Sequence, residues 1–478
     1  MEIRRHILRG CTRFDNLTLS YMAHRAKNLT ILFALEEGAH FFYYKSAVRE
    51  LARRGHKVRV LFAKRADGTA LDPVYELKRE YPSVEHSRSF YRSGVTRKIL
   101  LWIRAILNYR RFLTLPERPD YYRRRLITYL PFWMQPLVKS GAVNVNFLIK
   151  RQWVWFLLHR LDQAISPDAR ISAQIKEYAP DAVVASSGNL LSSSPDFEYL
   201  RAARRLGIPT ALSIMSWDYL ETKGVVHVLP DRLLVWNALQ EEEARMSHRI
   251  PADSIRITGV SYFDDLFSLD APLQSREEFC AEFGIDPARP YLLYIGSSGI
   301  FGDETWFLRG IRDALARDPR TKHIQIIVRP HHKNFRIYKK NPVPDAALVP
   351  REGRLPALRE SLELFHDSMY HALAVVGIGT SGFIDAMIAG KPVLTVLTDF
   401  YHDIQREAPH FKHLIREKVF ELAGDFSEVP EIVVKLSEGK DQYRERRINF
   451  LKKYIRPLGL ECPAAEAIAD EIEALVKR

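Results

Sequence analysis

Residues 29–35, Leu29-Thr30-Ile31-Leu32-Phe33-Ala34-Leu35, form a short apolar run that reads as a buried strand. The loop Glu36-Glu37-Gly38-Ala39-His40 follows, residues 41–54 have helical character, and Gly55-His56 makes a C-cap. Residues 57–63 (KVRVLFA) read as the next strand, so the chain opens as a βαβ unit and predicts a parallel sheet. The pattern continues with a strand at 182–185, a helix over 195–206 ended by Gly207, and strands at 210–214, 232–236 and 255–258. An acidic helix start stands at 240–243.

At 291–295 the pattern restarts with a strand, followed by the small-residue loop Gly296-Ser297-Ser298-Gly299. A helix over 305–317, strands at 324–328 and 372–376, a Gly-rich turn at 377–382, a helix at 383–389 and a strand at 393–396 complete it. Helices are expected over 441–454 and 463–477. The class is therefore α/β, with two Rossmann-like domains facing each other across a cleft. A basic extension covers 1–28, the first domain 29–265 with an insert at 88–176, the second 266–440, and C-terminal helices 441–478. The hinge falls within 259–290. In such sheets ligands bind beyond the carboxyl ends of the strands, which makes the strand-end loops the candidate sites.

Composition narrows the class. With 478 residues, 46% hydrophobic and 27% charged, the chain has ample core for two or three domains and is not mainly disordered. Cys11, Cys280 and Cys462 lie too far apart in sequence to suggest a disulfide framework or a zinc pair, which fits a reducing compartment. No apolar run is long enough to span a membrane, and the basic N-terminus lacks an apolar signal region, so a cytoplasmic location is expected.

Charge is the unusual feature. The net charge is +13, and residues 88–160 hold fifteen Lys or Arg against only Glu117 and Asp120, so that stretch accounts for all of it. It also holds Trp102, Trp133, Trp153 and Trp155, four of the seven tryptophans. A uniformly basic nucleic-acid binder would not concentrate its charge this way, and no nucleic-acid partner is expected. An amphipathic surface for anionic lipid, with Arg123, Arg124, Arg125, Trp102 and Trp133 at headgroup level, is the reading adopted. Docking of an acidic glycan or protein, and helical packing with solvated arginines, are the alternatives.

The main chemical constellation is Gly379-Thr380-Ser381-Gly382-Phe383-Ile384-Asp385, followed by Gly390-Lys391-Pro392-Val393-Leu394. Glycines let the backbone approach an anion, and the N–H groups opening the next helix point at it. Asp385 is placed either to reach a ribose diol or merely to complement the helix dipole. Arg329-Pro330-His331-His332 ends the preceding strand, where a guanidinium and an imidazole can meet a pyrophosphate. No carboxylate cluster joins the two histidines and no D-x-D motif occupies a suitable loop, so no metal and no other cofactor is expected. Gly296, Ser297 and Ser298 provide a third rim loop.

This spacing resembles the donor-binding half of GT-B glycosyltransferases, in particular the branch with CDP-glycerol glycerophosphotransferases, capsule polysaccharide transferases and UDP-N-acetylglucosamine 2-epimerases. The resemblance implies diphosphate contacts by Arg329, His331, Thr380, Ser381 and Gly382, and a ribose contact by Asp385, where that group more often has Glu. Ile257-Thr258-Gly259-Val260 with Phe263-Asp264 is similar to the group's linker motif. The loop after the first strand faces the acceptor in that group and often supplies a base; here it offers Glu36, Glu37 and His40. The Gly-Thr-Arg-Pro-Glu motif that the epimerases carry there is absent. Ser216-Trp217-Asp218, with Lys223, is similar to a stretch of surface-polysaccharide transferases; it suits stacking on a sugar and bonding its hydroxyls, or else forms a structural turn. The expected activity is metal-independent transfer of a sugar from a nucleotide diphosphate sugar to a glycan or lipid-linked acceptor in bacterial surface polysaccharide assembly, on the inner membrane face. A CDP-polyol phosphotransferase and a catalytically silent glycan- or lipid-binding protein are the alternatives.

Overall fold

The computed structural model describes residues 28–62, 71–115, 118–140, 144–186, 195–297, 302–351 and 356–477. Ser298, Gly299, Glu117 and residues 1–27 of the extension lie outside them. Among the described residues the strands form two all-parallel sheets. The first contains β1 (Thr30–Leu35), β2 (Lys57–Phe62), β3 (Val84–Arg88), β4 (Ala182–Ser186), β5 (Thr210–Ser213), β6 (Arg232–Val235) and β7 (Ile255–Ile257), in the order β3-β2-β1-β4-β5-β6-β7. The second contains β8 (Tyr291–Ile295), β9 (Gln325–Arg329), β10 (Ala346–Leu348), β11 (Ala374–Val376), β12 (Val393–Val396) and β13 (Glu421–Ala423), in the order β10-β9-β8-β11-β12-β13. Both sheets turn back on themselves beside their first strand, between β1 and β4 and between β8 and β11. Crevices for ligands open at such switch points.

The expected α/β architecture holds, with strands at β3, β10 and β13 that the sequence pattern did not mark. Each has a reason. β3 reads VEHSR, without an apolar run, and β10 and β13 are three-residue edge strands. The helical stretch at 41–54 is broken in two, a 3₁₀ turn Gly38–Tyr43 and an α-helix Lys45–Arg53.

The C-terminal helix Ala464–Val476 crosses back to the first domain. Ile468, Ala469, Ile472 and Leu475 are buried in the core formed by β1, β2 and helix Lys45–Arg53. The linker motif anchors it: Asp264 accepts the first two N–H groups of this helix, from Ala464 (3.1 Å) and Ala465 (2.8 Å), and a bond from Arg456 Nη2 (2.8 Å). Residues 464–476 thus belong to the first domain's core and not to a separate C-terminal unit.

The insert is helical: Gly94–Thr114, Asp120–Tyr129, Met134–Ser140, Val145–Lys150 and Gln152–Ala164 surround a small core that includes Tyr109, Phe112, Tyr122 and Leu126. Its charge is not all at the surface. Arg104 is buried against Asp162 (3.0 Å) and Glu198 (3.1 Å). Arg111 is buried and donates to the carbonyls of Leu220 and Glu221. Asn108 accepts from the Val225 N–H (2.8 Å), and Gly224 beside it has φ +101°, with room for no Cβ because Asn108 lies 2.7 Å from where one would sit. The longest insert helix therefore holds the 216–225 loop in place.

Two residues of the arginine triplet make contacts within the protein. Arg124 pairs with Asp403 of the second domain (2.8 Å), and Arg123 reaches the Val138 carbonyl (3.5 Å). Two of the three arginines thus have partners within the protein, while Arg124 stays well exposed. Trp102 and Trp133 are exposed, as is Trp153, whereas Trp155 stacks on His159 (4.9 Å) under Arg249 (4.5 Å). No helix among the described residues is long and apolar enough to cross a membrane.

Candidate active site

The second sheet's rim is built around close backbone approaches. Gly296, directly after β8, donates to the Arg329 carbonyl (2.9 Å), and a Cβ there would lie 3.0 Å from Tyr338 Oη and 3.1 Å from the His331 nitrogen. Gly382 is as confined, since its Cβ would meet Ile295 Cγ2 at 2.8 Å. Larger residues would push the three loops apart.

Ser297 is fixed by a residue the sequence reading missed. Its N–H donates to both oxygens of buried Glu304 (3.2 and 3.0 Å), which also accepts from Tyr294 (3.1 Å) and Tyr338 (2.8 Å). Burial raises the Glu304 carboxyl, and these donors oppose the rise. The Ser297 amide is thus engaged, and its buried hydroxyl also bears on the Glu304 carboxylate. Glu304 had no sequence signal, because it lies in a loop seven residues from its partner.

The loop after β11 behaves partly as expected. The helix Gly382–Ile388 begins after Ser381, whose hydroxyl makes no cap bond and is exposed. The first helical N–H groups are not all open. Gly382 N donates to Thr380 Oγ1 (3.2 Å), Phe383 N to the Thr380 carbonyl (3.2 Å) and Ile384 N to the Ser381 carbonyl (2.8 Å). Gly379 and Thr380 are half-buried beside them. An anion placed here would meet chiefly the Ser381 hydroxyl and side chains at the end of β9 and just beyond it.

Those side chains are Arg329 and His331. Arg329 is buried over the Phe365 ring (4.3 Å), and its Nη1 has no hydrogen-bond partner among the described residues. Burial draws its guanidinium down to about 10, against the charge of Asp385. Asp385 is itself buried and pushed up to about 7 by that burial, with Arg329 pulling the other way. His331 and His332 lie against each other (ring centroids 4.2 Å apart), and burial first, then neighbouring positive charge, lowers both to about 4. They are neutral at pH 7.

The first sheet meets this rim with the turn that follows β1. Glu36 is buried, and His40 Nε2 stands 3.4 Å from Glu37 Oε1. Glu37 bears electrostatically on His332 of the opposite domain. Tyr43, also missed from sequence, sits among the candidate groups: burial first, then the charges of Asp218, Asp385 and Glu37, push its phenol up to about 12. Its ring packs on Tyr262 (5.2 Å), and Phe42, Lys45, Tyr262, Leu362 and Asp385 line a small cavity between the domains. The structure thus brings together the Glu36–His40 turn, Arg329, His331 and Asp385.

The 216–223 loop is a turn braced by its own side chains. Asp218 accepts from Ser216 Oγ (2.5 Å) and Thr222 Oγ1 (3.0 Å), and Lys223 lies 3.7 Å away. Burial alone would raise the Asp218 carboxyl, but Lys223, His410 and these hydroxyls hold it well below the usual carboxylate range. Trp217 is half-buried with its edge on His410 (5.4 Å).

No family model and no curated protein matches the sequence. Solved structures do match the fold. A glycosyltransferase from Rickettsia africae aligns at TM-score 0.53 with 11% identity, over 95% of this chain and 100% of that one. UDP-GlcNAc 2-epimerase from Neisseria meningitidis, bound to UDP-GlcNAc, aligns at 0.53 with 13% identity, over 94% and 100%. UGT89C1 from Arabidopsis thaliana, complexed with UDP-L-rhamnose, aligns at 0.50 with 14% identity, over 94% and 99%. At such identities the likeness is one of fold, and the fold of this chain is the two-domain GT-B arrangement shared by glycosyltransferases and UDP-GlcNAc 2-epimerases.

Proposed function

We propose that the protein is a glycosyltransferase that moves a sugar from a nucleotide diphosphate sugar to a glycan or lipid-linked acceptor in bacterial surface polysaccharide assembly. The observation that carries this reading is the meeting of the two switch-point rims, with Glu37 and His40 on one side and Arg329, His331 and Asp385 on the other. Structural neighbours that hold UDP sugars support a nucleotide-sugar donor.

Chemically, a direct displacement leaves negative charge on the departing diphosphate. The unpartnered Nη1 of Arg329, the exposed Ser381 hydroxyl and a neutral His331 N–H are donors suited to it, with no cation required on the diphosphate. Asp385 is assigned to the ribose. His40 takes the acceptor proton, and Glu37, 3.4 Å away, stabilises the imidazolium that results. The first-domain loop lacks the epimerase motif, which favours transfer over epimerisation.

Melting shifts across UDP, GDP, CDP, CMP and dTDP test the donor site, since a ligand at 100 times its Kd stabilises by about 2.7 kcal/mol. A shift with a nucleoside diphosphate is expected. Stabilisation by CDP and CMP alone would point to CDP-polyol transfer, and no shift with any of them to a silent binding protein.

Association with the membrane is assigned to a different part of the insert from the arginine triplet. Phe147, Leu148, Trp153, Phe156 and Leu157 are each at least half exposed, on helices Val145–Lys150 and Gln152–Ala164. Arg151 lies over Phe147 (5.0 Å) and Arg160 over Phe156 (5.4 Å), which pairs cations with apolar rings as a headgroup layer requires. The protein is expected to sediment with phosphatidylglycerol vesicles and not with neutral ones, and Trp153→Ser with Phe156→Ser to abolish this. Equal binding to both vesicles, or to neither, removes the lipid assignment.

A further inference from the structure

Outside the donor rim, side chains from both domains converge on one point. Glu221 lies in the short helix Tyr219–Thr222, Glu243 in helix Ala238–His248, and His413 in helix Pro409–Glu417 of the second domain. One ligand atom from each lies within 4.8 Å of the other two. His413 Nε2 is 3.7 Å from Glu221 Oε1. His410, three residues earlier on the same helix face, places Nδ1 3.8 Å from Glu221 Oε2, with its ring against Trp217. Glu221 Oε2, Glu243 Oε2 and His410 Nδ1 are all shut off from solvent and have no hydrogen-bond partner among the described residues.

Two facing carboxylates in such a place require either a shared proton or a cation. Apart from Arg111, the charged groups that bear on Glu243 are Glu221 and Asp218, both acidic. The two imidazoles are the neighbouring groups that can serve as neutral nitrogen ligands.

We propose that Glu221, Glu243 and His413, with His410 as a fourth ligand, form an interdomain site for a divalent transition-metal ion, zinc above all. Mixed carboxylate and imidazole donors suit Zn²⁺, and Mn²⁺ or Co²⁺ next, rather than Ca²⁺ or Mg²⁺, which take oxygen ligands. Donors of a tetrahedral zinc site stand about 3.3–3.6 Å apart, so the Glu221–His413 pair at 3.7 Å and the Glu221–His410 pair at 3.8 Å close by a few tenths of an ångström, while a pair at the 4.8 Å limit closes by a side-chain rotation. The ion neutralises the carboxylate pair and ties helix Pro409–Glu417 to the first domain behind the Trp217 loop. Its role is structural, and none of its ligands belongs to the donor rim.

The test uses the full chain, stripped with a chelator, dialysed and titrated with Zn²⁺ and separately with Mn²⁺ by calorimetry, with metal content measured by elemental analysis. One Zn²⁺ per chain and a raised melting temperature are expected. Glu243→Gln and His413→Ala should each weaken binding by roughly 10- to 100-fold or more, since loss of even an outer-shell partner costs that much. His323→Ala, an exposed histidine elsewhere, should bind as the wild type does. Glu243→Gln is nearly isosteric, so a cooperative melt of its stripped form shows that the fold persists. Absence of stoichiometric binding by the wild type, or equal binding by Glu243→Gln and His413→Ala, overturns the proposal and leaves the carboxylates sharing a proton. Nucleotide melting shifts are read separately, so either result leaves the donor-site assignment standing or falling on its own data.

Discussion

At the rim of the second sheet the backbone does the shaping. Gly296 and Gly382 allow three loops to close to about a van der Waals contact, and one buried guanidinium, Arg329, is left with donor capacity. At the rim of the first sheet the side chains dominate: Glu36, Glu37, His40, Tyr43, Trp217 and Asp218 crowd the strand ends with acids and rings. The same strand order produces both rims, so topology does not distinguish them. Small residues and N–H donors suit an anion, whereas paired acid and imidazole groups suit proton removal. On the proposed reading, the difference assigns one sheet to the leaving group and the other to the nucleophile.

That division can be broken most sharply at His40 and Glu37. Replacing the base should lower turnover by about 10²–10⁴-fold and leave nucleotide affinity alone. Glu36→Gln, His40→Ala and Glu37→Gln, assayed singly for transfer and for binding, test this. Near-normal turnover in all three places proton removal elsewhere. The opposite split is expected at Arg329 or Ser381. Arg329→Ala or Ser381→Ala should weaken nucleoside diphosphate binding by roughly 1–3 kcal/mol by calorimetry, the range for a lost charge-assisted hydrogen bond. Affinity unchanged in both folded variants removes the leaving-group assignment.

The histidines sharpen the contrast by pH. His331 and His332 titrate near 4 in the free protein, below the usual value of 6.5. A diphosphate beside them raises those values, so binding takes up protons and strengthens as pH falls from 7 towards 5, by at most about tenfold per unit for each proton. Calorimetry in buffers of different ionisation enthalpy reads the uptake, and His331→Ala should reduce it. In the free protein the sign is reversed: lowered histidine values mean stability that is present above 6.5 and lost as pH falls towards 4. The smallest effect is expected at the domain edge. Arg124 and Asp403 are both well exposed, so Arg124→Ala should change stability by no more than about 1 kcal/mol in thermal melts, with nucleotide affinity intact. A larger loss would mean that this pair holds the domains together.

The sequence by itself determined the two βαβ halves, because buried parallel strands such as 29–35 and 291–295 must be nearly continuous apolar runs bounded by turn residues. It also determined the small-residue loops, since Gly296 and Gly382 are needed locally, whatever the ligand. The strand ends then placed Glu36, Glu37, His40, Arg329, His331 and Asp385 on facing rims. Only the tertiary structure decided which charges count. Arg104 and Arg111 look like surface cations along the chain, yet their partners are Asp162, Glu198 and two carbonyls more than fifty residues away. Glu304 and Tyr43 acquire their importance from burial, and Arg124 from a partner 279 positions along. Glu221, Glu243 and His413 have no shared spacing and meet because two domains close on each other. Periodicity is a local property of the backbone, whereas pairing of charges depends on distances in space that the chain sets only after it has folded.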